Sequence, residues 1–208
     1  MEKGKFIALE GIDGCGKSTQ GRLLSEYLRS KGVDCVLTRE PTDSPFGSLI
    51  RQCLKGQIDT DEKAIAALFA ADRLDHIFNK RDGILEKING GVTVLTDRYY
   101  FSSYAYHGTF MPMDWVIEAN RFSAEALRPD LNIFLDIEPE RSAARLSRRG
   151  TLERYEKVEA MKRIREKYFE AFEKLKDSER VCIIRSEENP EDTQANIRAA
   201  VDKLFQKA

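Results

Sequence analysis

A chain of 208 residues is long enough to bury a sizeable core and fits a single domain over 1–208. Its 34 Lys and Arg against 35 Asp and Glu leave a formal net charge of −1, which excludes gathering nucleic acid by a global basic field, so any anion site must be local. Four scattered cysteines without a CxxC pair and only two histidines argue against a zinc site or a disulfide framework, and no apolar run suits a secretory signal or a membrane span, so the chain reads as cytoplasmic with no membrane partner.

In chain order, KFIALE (5–10), DCVLTRE (34–40), GVTVLTD (91–97), DLNIFLDI (130–137) and RVCIIRS (180–186) read as five strands. Helical patterns separate them. One runs from Lys17 to Lys31 and stops at Gly32; a long periodic stretch covers Asp61 to Asn89; Pro139 opens another; the last runs from Pro190 and ends in lysines, as its dipole prefers. This alternation predicts an α/β fold, a five-stranded parallel sheet with helices on both faces. The charge-dense segment from Arg141 to Lys176 reads as a solvated helical face.

Between the first strand and the first helix, Gly11-Ile12-Asp13-Gly14-Cys15-Gly16-Lys17-Ser18, followed by Thr19, fits G-x-x-x-x-G-K-[ST]. Glycines let successive backbone N–H groups turn around phosphate oxygens, and the helix N-terminus adds partial positive charge. In such a loop Lys17 reaches the β- and γ-phosphates and Ser18 coordinates Mg²⁺. A second set of residues follows on other loops. Arg39 and Glu40 emerge from the second strand, at the edge where open α/β sheets bind ligands. Phe69 and Arg73, four residues apart, can present a ring and a guanidinium on one helical face. Asp97 at the tip of the third strand can bind Mg²⁺ through water, and Arg98 can fork onto a phosphate. Arg145, Arg148, Arg149 and Arg154 surround Gly150 and suit a lid of about 145–157 closing over a transferring phosphoryl group.

Taken together, Glu10 before the phosphate loop, the REP after the second strand, the F-x-A-x-R around Phe69, the DRYxxSxxAY from Asp97 and the arginine-rich lid resemble the thymidylate kinase family, over about residues 5–157 and most like its bacterial and archaeal branch. The resemblance implies a P-loop NTPase fold, ATP:dTMP phosphotransfer with Mg²⁺, small-molecule partners ATP and dTMP, and a homodimer. It also implies roles. Gly11 to Thr19 bind ATP, and Ser18 and Asp97 hold the metal. Phe69 stacks on the base, Arg73 bonds its carbonyl, Asp13 meets the 3′-hydroxyl, Tyr106 lies under the deoxyribose and Arg98 binds the acceptor phosphate, with Glu40, Arg51 and Ser103 completing the substrate set. Lys17, Asp97 and Arg98 serve catalysis. Gly14 stands where some members carry an arginine, which leaves Arg148, Arg149 and Arg154 as candidates to supply it. His107 stands where glutamine is frequent and reads as a surface or outer-layer residue. The residues alone leave open a kinase for another nucleotide or nucleoside, or a nucleotide-binding module that does no chemistry.

Overall fold

The computed structural model describes residues 3–147, 155 and 157–206. Strands β1 (Phe6–Glu10), β2 (Cys35–Arg39), β3 (Thr93–Asp97), β4 (Leu131–Asp136) and β5 (Val181–Arg185) form one all-parallel sheet in the order β2-β3-β1-β4-β5. Each lies inside one of the five apolar runs. The inner strands β1, β3 and β4 are covered on both faces, which is why their sequences run apolar without alternation. The edge strands expose Leu37 and Ile183. Leu9 pairs with Asp97 and Glu10 with Phe134, so the carboxyl ends of β3, β1 and β4 lie side by side. From that edge β1 leads the chain towards β2 and β4 leads it towards β5, a divergence that opens a crevice.

Helices α1 (Lys17–Ser30) and α10 (Pro190–Phe205) pack together, with α1 lying along β1, β2 and β3. On the opposite face α3 (Glu62–Phe78), α5 (Tyr100–His107) and α9 (Val158–Leu175) form the second layer, as right-handed crossovers require. Five further helices, α2 (Pro45–Leu54), α4 (Ile84–Asn89), α6 (Met113–Ala119), α7 (Arg121–Ala126) and α8 (Pro139–Leu146), complete the set among the described residues. Proline occupies the first turn of α2, α8 and α10, where its missing N–H costs nothing. Within the charge-dense segment, α9 buries Met161, Ile164, Tyr168, Ala171 and Phe172 at helical spacing and turns its charges outward. Residues 148–154, with Arg148, Arg149 and Arg154, lie outside the described residues. No helix among the described residues is long and apolar enough to cross a membrane.

The stretch from Asp61 to Asn89 is two helices. After Phe78, Asn79 leaves helical geometry, its side chain accepts the Arg81 N–H at 3.0 Å, and its carbonyl accepts the Gly83 N–H at 2.8 Å. Asn79-Lys80-Arg81-Asp82 also fits the N-K-x-D pattern by which switch GTPases read guanine. Here it forms the turn between α3 and α4 and precedes β3 rather than following a strand. A Cβ at Gly83 would lie 2.3 Å from the Asn79 carbonyl oxygen, so the corner closes only on glycine. Gly83→Ala is therefore expected to cost about 1–3 kcal/mol, which at about 2–4 °C per kcal/mol for a chain of this size lowers Tm by roughly 2–12 °C. Calorimetry checks this; an unchanged Tm would show that the corner relaxes freely.

Candidate active site

The loop between β1 and α1 is built to receive an anion. Gly16 caps α1 with φ 105° and no side-chain bond, so the first amides of the helix have no partner within it. Lys17 folds along the loop, its Nζ donating to the carbonyls of Gly11 and Ile12, both at 3.0 Å. Its neighbour Ser18 donates to Asp97 Oδ2 at 2.6 Å, which joins the first turn of α1 to the tip of β3. A hydroxyl and a carboxylate side by side form the hard-oxygen donor set that suits a hydrated Mg²⁺ shared with phosphates.

Arg98 follows directly and takes φ 74°, the only positive value at a non-glycine among the described residues. Its N–H donates to the Leu9 carbonyl at 2.9 Å, and the next N–H, of Tyr99, donates to Glu10 Oε1 at 2.9 Å. The backbone is thereby fixed against β1 from both sides. Its guanidinium is paired with the Asp13 carboxylate, donates to Ser102 Oγ and Tyr106 Oη at 3.1 Å each, and lies 4.8 Å from the centre of the Tyr106 ring. Tyr106 Oη in turn donates to Asp13 Oδ2 at 2.8 Å. Burial by itself would raise the Asp13 pKa, but the charges of Arg98 and Lys17 and the Tyr106 hydrogen bond hold it below its ordinary value.

A small cavity of about 130 Å³ opens beside this corner. Asp13, Arg98, Tyr106, Phe69, Ser103, His107 and Tyr155 are among the residues that line it. A larger groove of about 920 Å³ runs along β2 and meets the candidate residues at Ser18, Arg39 and Asp97. The convergent charged and aromatic groups are at the small cavity, which makes it the better candidate for a ligand site.

Several residues stand differently from the sequence reading. Arg73 is not a free guanidinium beside Phe69 but is wholly buried: Nε and Nη2 lie 2.8 and 2.7 Å from Glu40, Nη1 donates to Ser103 Oγ at 3.1 Å and to Asn120 Oδ1, and Nη2 donates to the Tyr99 carbonyl. It meets the cavity through Ser103. Glu40 is correspondingly consumed between Arg73 and His76, whose Nδ1 is 3.1 Å away. Arg51 braces the loop after β2, donating to the Thr42 carbonyl at 2.6 Å and to that of Pro41 at 3.2 Å. His107 is neither exposed nor peripheral. It is buried in the cavity wall, with its ring centre 5.3 Å from that of Phe69.

Two residues have a structural role that the sequence reading did not assign. Glu10 accepts from Tyr99 N, Ser102 Oγ (2.6 Å) and Tyr168 Oη (3.0 Å), and its burial raises its pKa against the pull of Ser102 and Arg98. An acidic residue ending a wholly apolar strand was the available signal. Ser142 of α8 donates to the Asp13 carbonyl, and nothing in the sequence tied α8 to the phosphate loop. That contact explains Gly14. It has φ 76°, and a Cβ there would lie 2.7 Å from Ser142 Oγ and 3.0 Å from both the Ser142 carbonyl oxygen and Leu146 Cγ.

The chain matches a sequence-family model described as thymidylate kinase over residues 9–197. It is 40% identical over 207 residues to a probable thymidylate kinase of Thermococcus onnurineus (strain NA1), covering 95% of this chain and 97% of that one. Similar matches are a probable thymidylate kinase of Pyrococcus horikoshii, 39% identical with 96% of each chain covered, and one of Methanococcoides burtonii, 35% identical with 98% and 99% covered.

The fit of α8 against the phosphate loop yields a test. Gly14→Ala is expected to lower Tm and to weaken ATP binding, since a left-handed L-residue costs about 1–2 kcal/mol even before the contact with Ser142. Calorimetry and ATP titration measure both; wild-type values in each would mean that α8 yields without cost.

Proposed function

The chain belongs to the thymidylate kinase family, and from that premise we propose that it transfers the γ-phosphoryl group of ATP to the 5′-phosphate of dTMP, giving ADP and dTDP. The observation that carries this reading is the Asp13–Arg98 pair, which sets a phosphate-binding loop and an acceptor cavity against each other. Two polyanions must be brought together, so charge neutralisation and alignment are the main catalytic tasks.

In the proposed arrangement the amides from Gly11 to Thr19, with Lys17, cradle the donor phosphates. Ser18 and Asp97 would hold Mg²⁺, which when bound supplies positive charge to the transferring phosphates. Arg98 takes the acceptor phosphate, releasing part of its hold on Asp13, whose ionised carboxylate is then available to the sugar 3′-hydroxyl. Tyr106 packs beneath the deoxyribose and Phe69 stacks on the base. Arg73 contributes by orienting Ser103 rather than by direct contact, and Glu40 and Arg51 contribute by fixing Arg73 and the loop after β2. Gly14 offers no side chain, so an arginine of the segment after α8 completes the site: Arg148, Arg149 or Arg154. Water is kept from the phosphates until both nucleotides are bound. The enzyme works in the cytoplasm and as a homodimer in this reading.

A coupled assay of ADP release with dTMP, dUMP, dCMP, dGMP and thymidine tests the assignment; dTMP should have the highest kcat/KM, and preference for another acceptor would overturn it. Lys17→Ala should remain folded while kcat falls by a factor of roughly 100 or more, because it deletes charge at the β- and γ-phosphates. Among single alanine variants of Arg148, Arg149 and Arg154, at least one should lose roughly 100-fold in kcat with smaller changes in ATP and dTMP dissociation constants. Near-normal kcat in all three would place the catalytic arginine elsewhere.

A further inference from the structure

The Arg98 guanidinium is held along two edges by groups of different kind. Nη2 is paired with the Asp13 carboxylate and donates to Tyr106 Oη at 3.1 Å, while Nη1 donates to Ser102 Oγ at 3.1 Å and to the Gly11 carbonyl at 3.4 Å. A phosphate can take the place of the carboxylate on the first edge; the second is bound to neutral oxygens that stay. Behind Ser102 lies a buried cluster drawn from three elements, Glu10 of β1, Ser102 of α5 and Tyr168 of α9. Ser102 Oγ donates to Glu10 Oε2 at 2.6 Å, and Tyr168 Oη stands 3.0 Å from the same carboxylate oxygen, 2.9 Å from Ser102 Oγ and 3.4 Å from the Gly11 carbonyl oxygen. A phenol from the far helix thus reaches the end of β1 and the neighbour of Arg98 together.

We propose that Tyr168 is a positioning residue for the acceptor phosphate: it completes the Glu10–Ser102 cluster that keeps the Nη1 edge of Arg98 fixed while the Nη2 edge exchanges Asp13 for the phosphate. The inference deepens the dTMP-kinase reading and rests on it. Its basis is the direction of the hydrogen bonds. An ionised Glu10 only accepts, so it takes the single Ser102 proton and leaves the Ser102 lone pairs to Arg98 and Tyr168. Burial holds the Tyr168 phenol well above its ordinary pKa, so it keeps the proton it donates. Burial also raises the Glu10 pKa, against the pull of Ser102, the Arg98 charge, the Tyr99 N–H and Tyr168. The titratable groups facing Glu10 are Arg98 after β3, Tyr104 on α5 and Tyr168 on α9, and β4 presents Phe134. A protonated Glu10 would carry a proton of its own towards Ser102 and loosen the hold on Arg98.

The test compares wild type with Tyr168→Phe, which keeps the ring packed 4.8 Å from that of Phe134 and removes only the hydroxyl. Its Kd for dTMP should rise by roughly five- to tenfold, in the range of one hydrogen bond, while Kd for ATP and for thymidine, which lacks the phosphate, stays near wild type. The acid limb of kcat/KM for dTMP should also move to higher pH. Without the Tyr168 donor Glu10 takes up its proton earlier as pH falls, whereas the dTMP phosphate titrates alike with both proteins. A folded Tyr168→Phe protein with wild-type dTMP Kd and acid limb overturns the proposal, and so does equal weakening of dTMP and thymidine, the mark of general loosening. If that variant does not fold, Ser102→Ala decides, since it cuts the same link at the arginine: dTMP should weaken and thymidine should not, and a wild-type dTMP Kd overturns the proposal. Wild-type protein that does not phosphorylate dTMP would instead sink the kinase reading.

Discussion

The ion pair between Asp13 and Arg98 is the constraint around which the site is arranged. It joins the loop after β1 to the corner after β3, two segments brought together only because β1 and β3 are hydrogen-bonded neighbours. Arg98 can reach Asp13 from a left-handed backbone, a conformation that costs an L-residue about 1–2 kcal/mol. Bonds to the Leu9 carbonyl and, one residue on, to the Glu10 carboxylate hold it there. Strain maintained by such surroundings is characteristic of functional corners. The pair also holds the Arg98 guanidinium between the phosphate loop and the small cavity.

Buried carboxylates do the remaining alignment. Glu10 fixes the start of α5. Asp72 and Arg73, adjacent on α3, act in different directions: Asp72 accepts from Thr42 N at 2.8 Å and Ser44 Oγ at 2.9 Å and so organises the entry to α2, while Arg73 binds Glu40, Ser103 and Asn120. Unpaired, any of these charges would be costly in the interior; paired and hydrogen-bonded, they give a defined geometry. One turn before them on the same helix, Phe69 is thereby set against the cavity.

The phosphate loop is buttressed from the far side of the sheet as well. Ser142 and Arg145 of α8 contact its backbone, Arg145 donates to Ser186 Oγ at 3.1 Å and to the Glu187 carbonyl at 2.8 Å, and Ser186 Oγ donates to the Cys15 carbonyl at 2.8 Å. The ends of β4 and β5 thus support a loop that belongs to β1. Where α8 sits this close, a side chain at Gly14 has no room.

The sequence by itself determined the five strands, their parallel arrangement and the phosphate loop, because each is written in local chemistry: continuous apolar runs for strands covered on both faces, and glycines with Lys17 and Ser18 at fixed spacing. It also singled out Phe69, Arg98 and Tyr106, which line the small cavity, and Asp97, which meets Ser18. It did not show how the polar residues pair. Phe69 and Arg73 share a helical spacing, yet only the ring lines the cavity; Glu40, distant in sequence, takes up the guanidinium. His107 looked peripheral because a lone histidine carries no periodic signal, and its burial depends on where α3 settles against α5. The break at Asn79 was hidden by apolar periodicity continuing into α4, although the Asn and Gly that make the turn were present. Local patterns fix elements because they depend on neighbours within a turn or two of the chain. Pairing among buried charges depends on which elements the sheet order makes adjacent, and only the tertiary structure decided that.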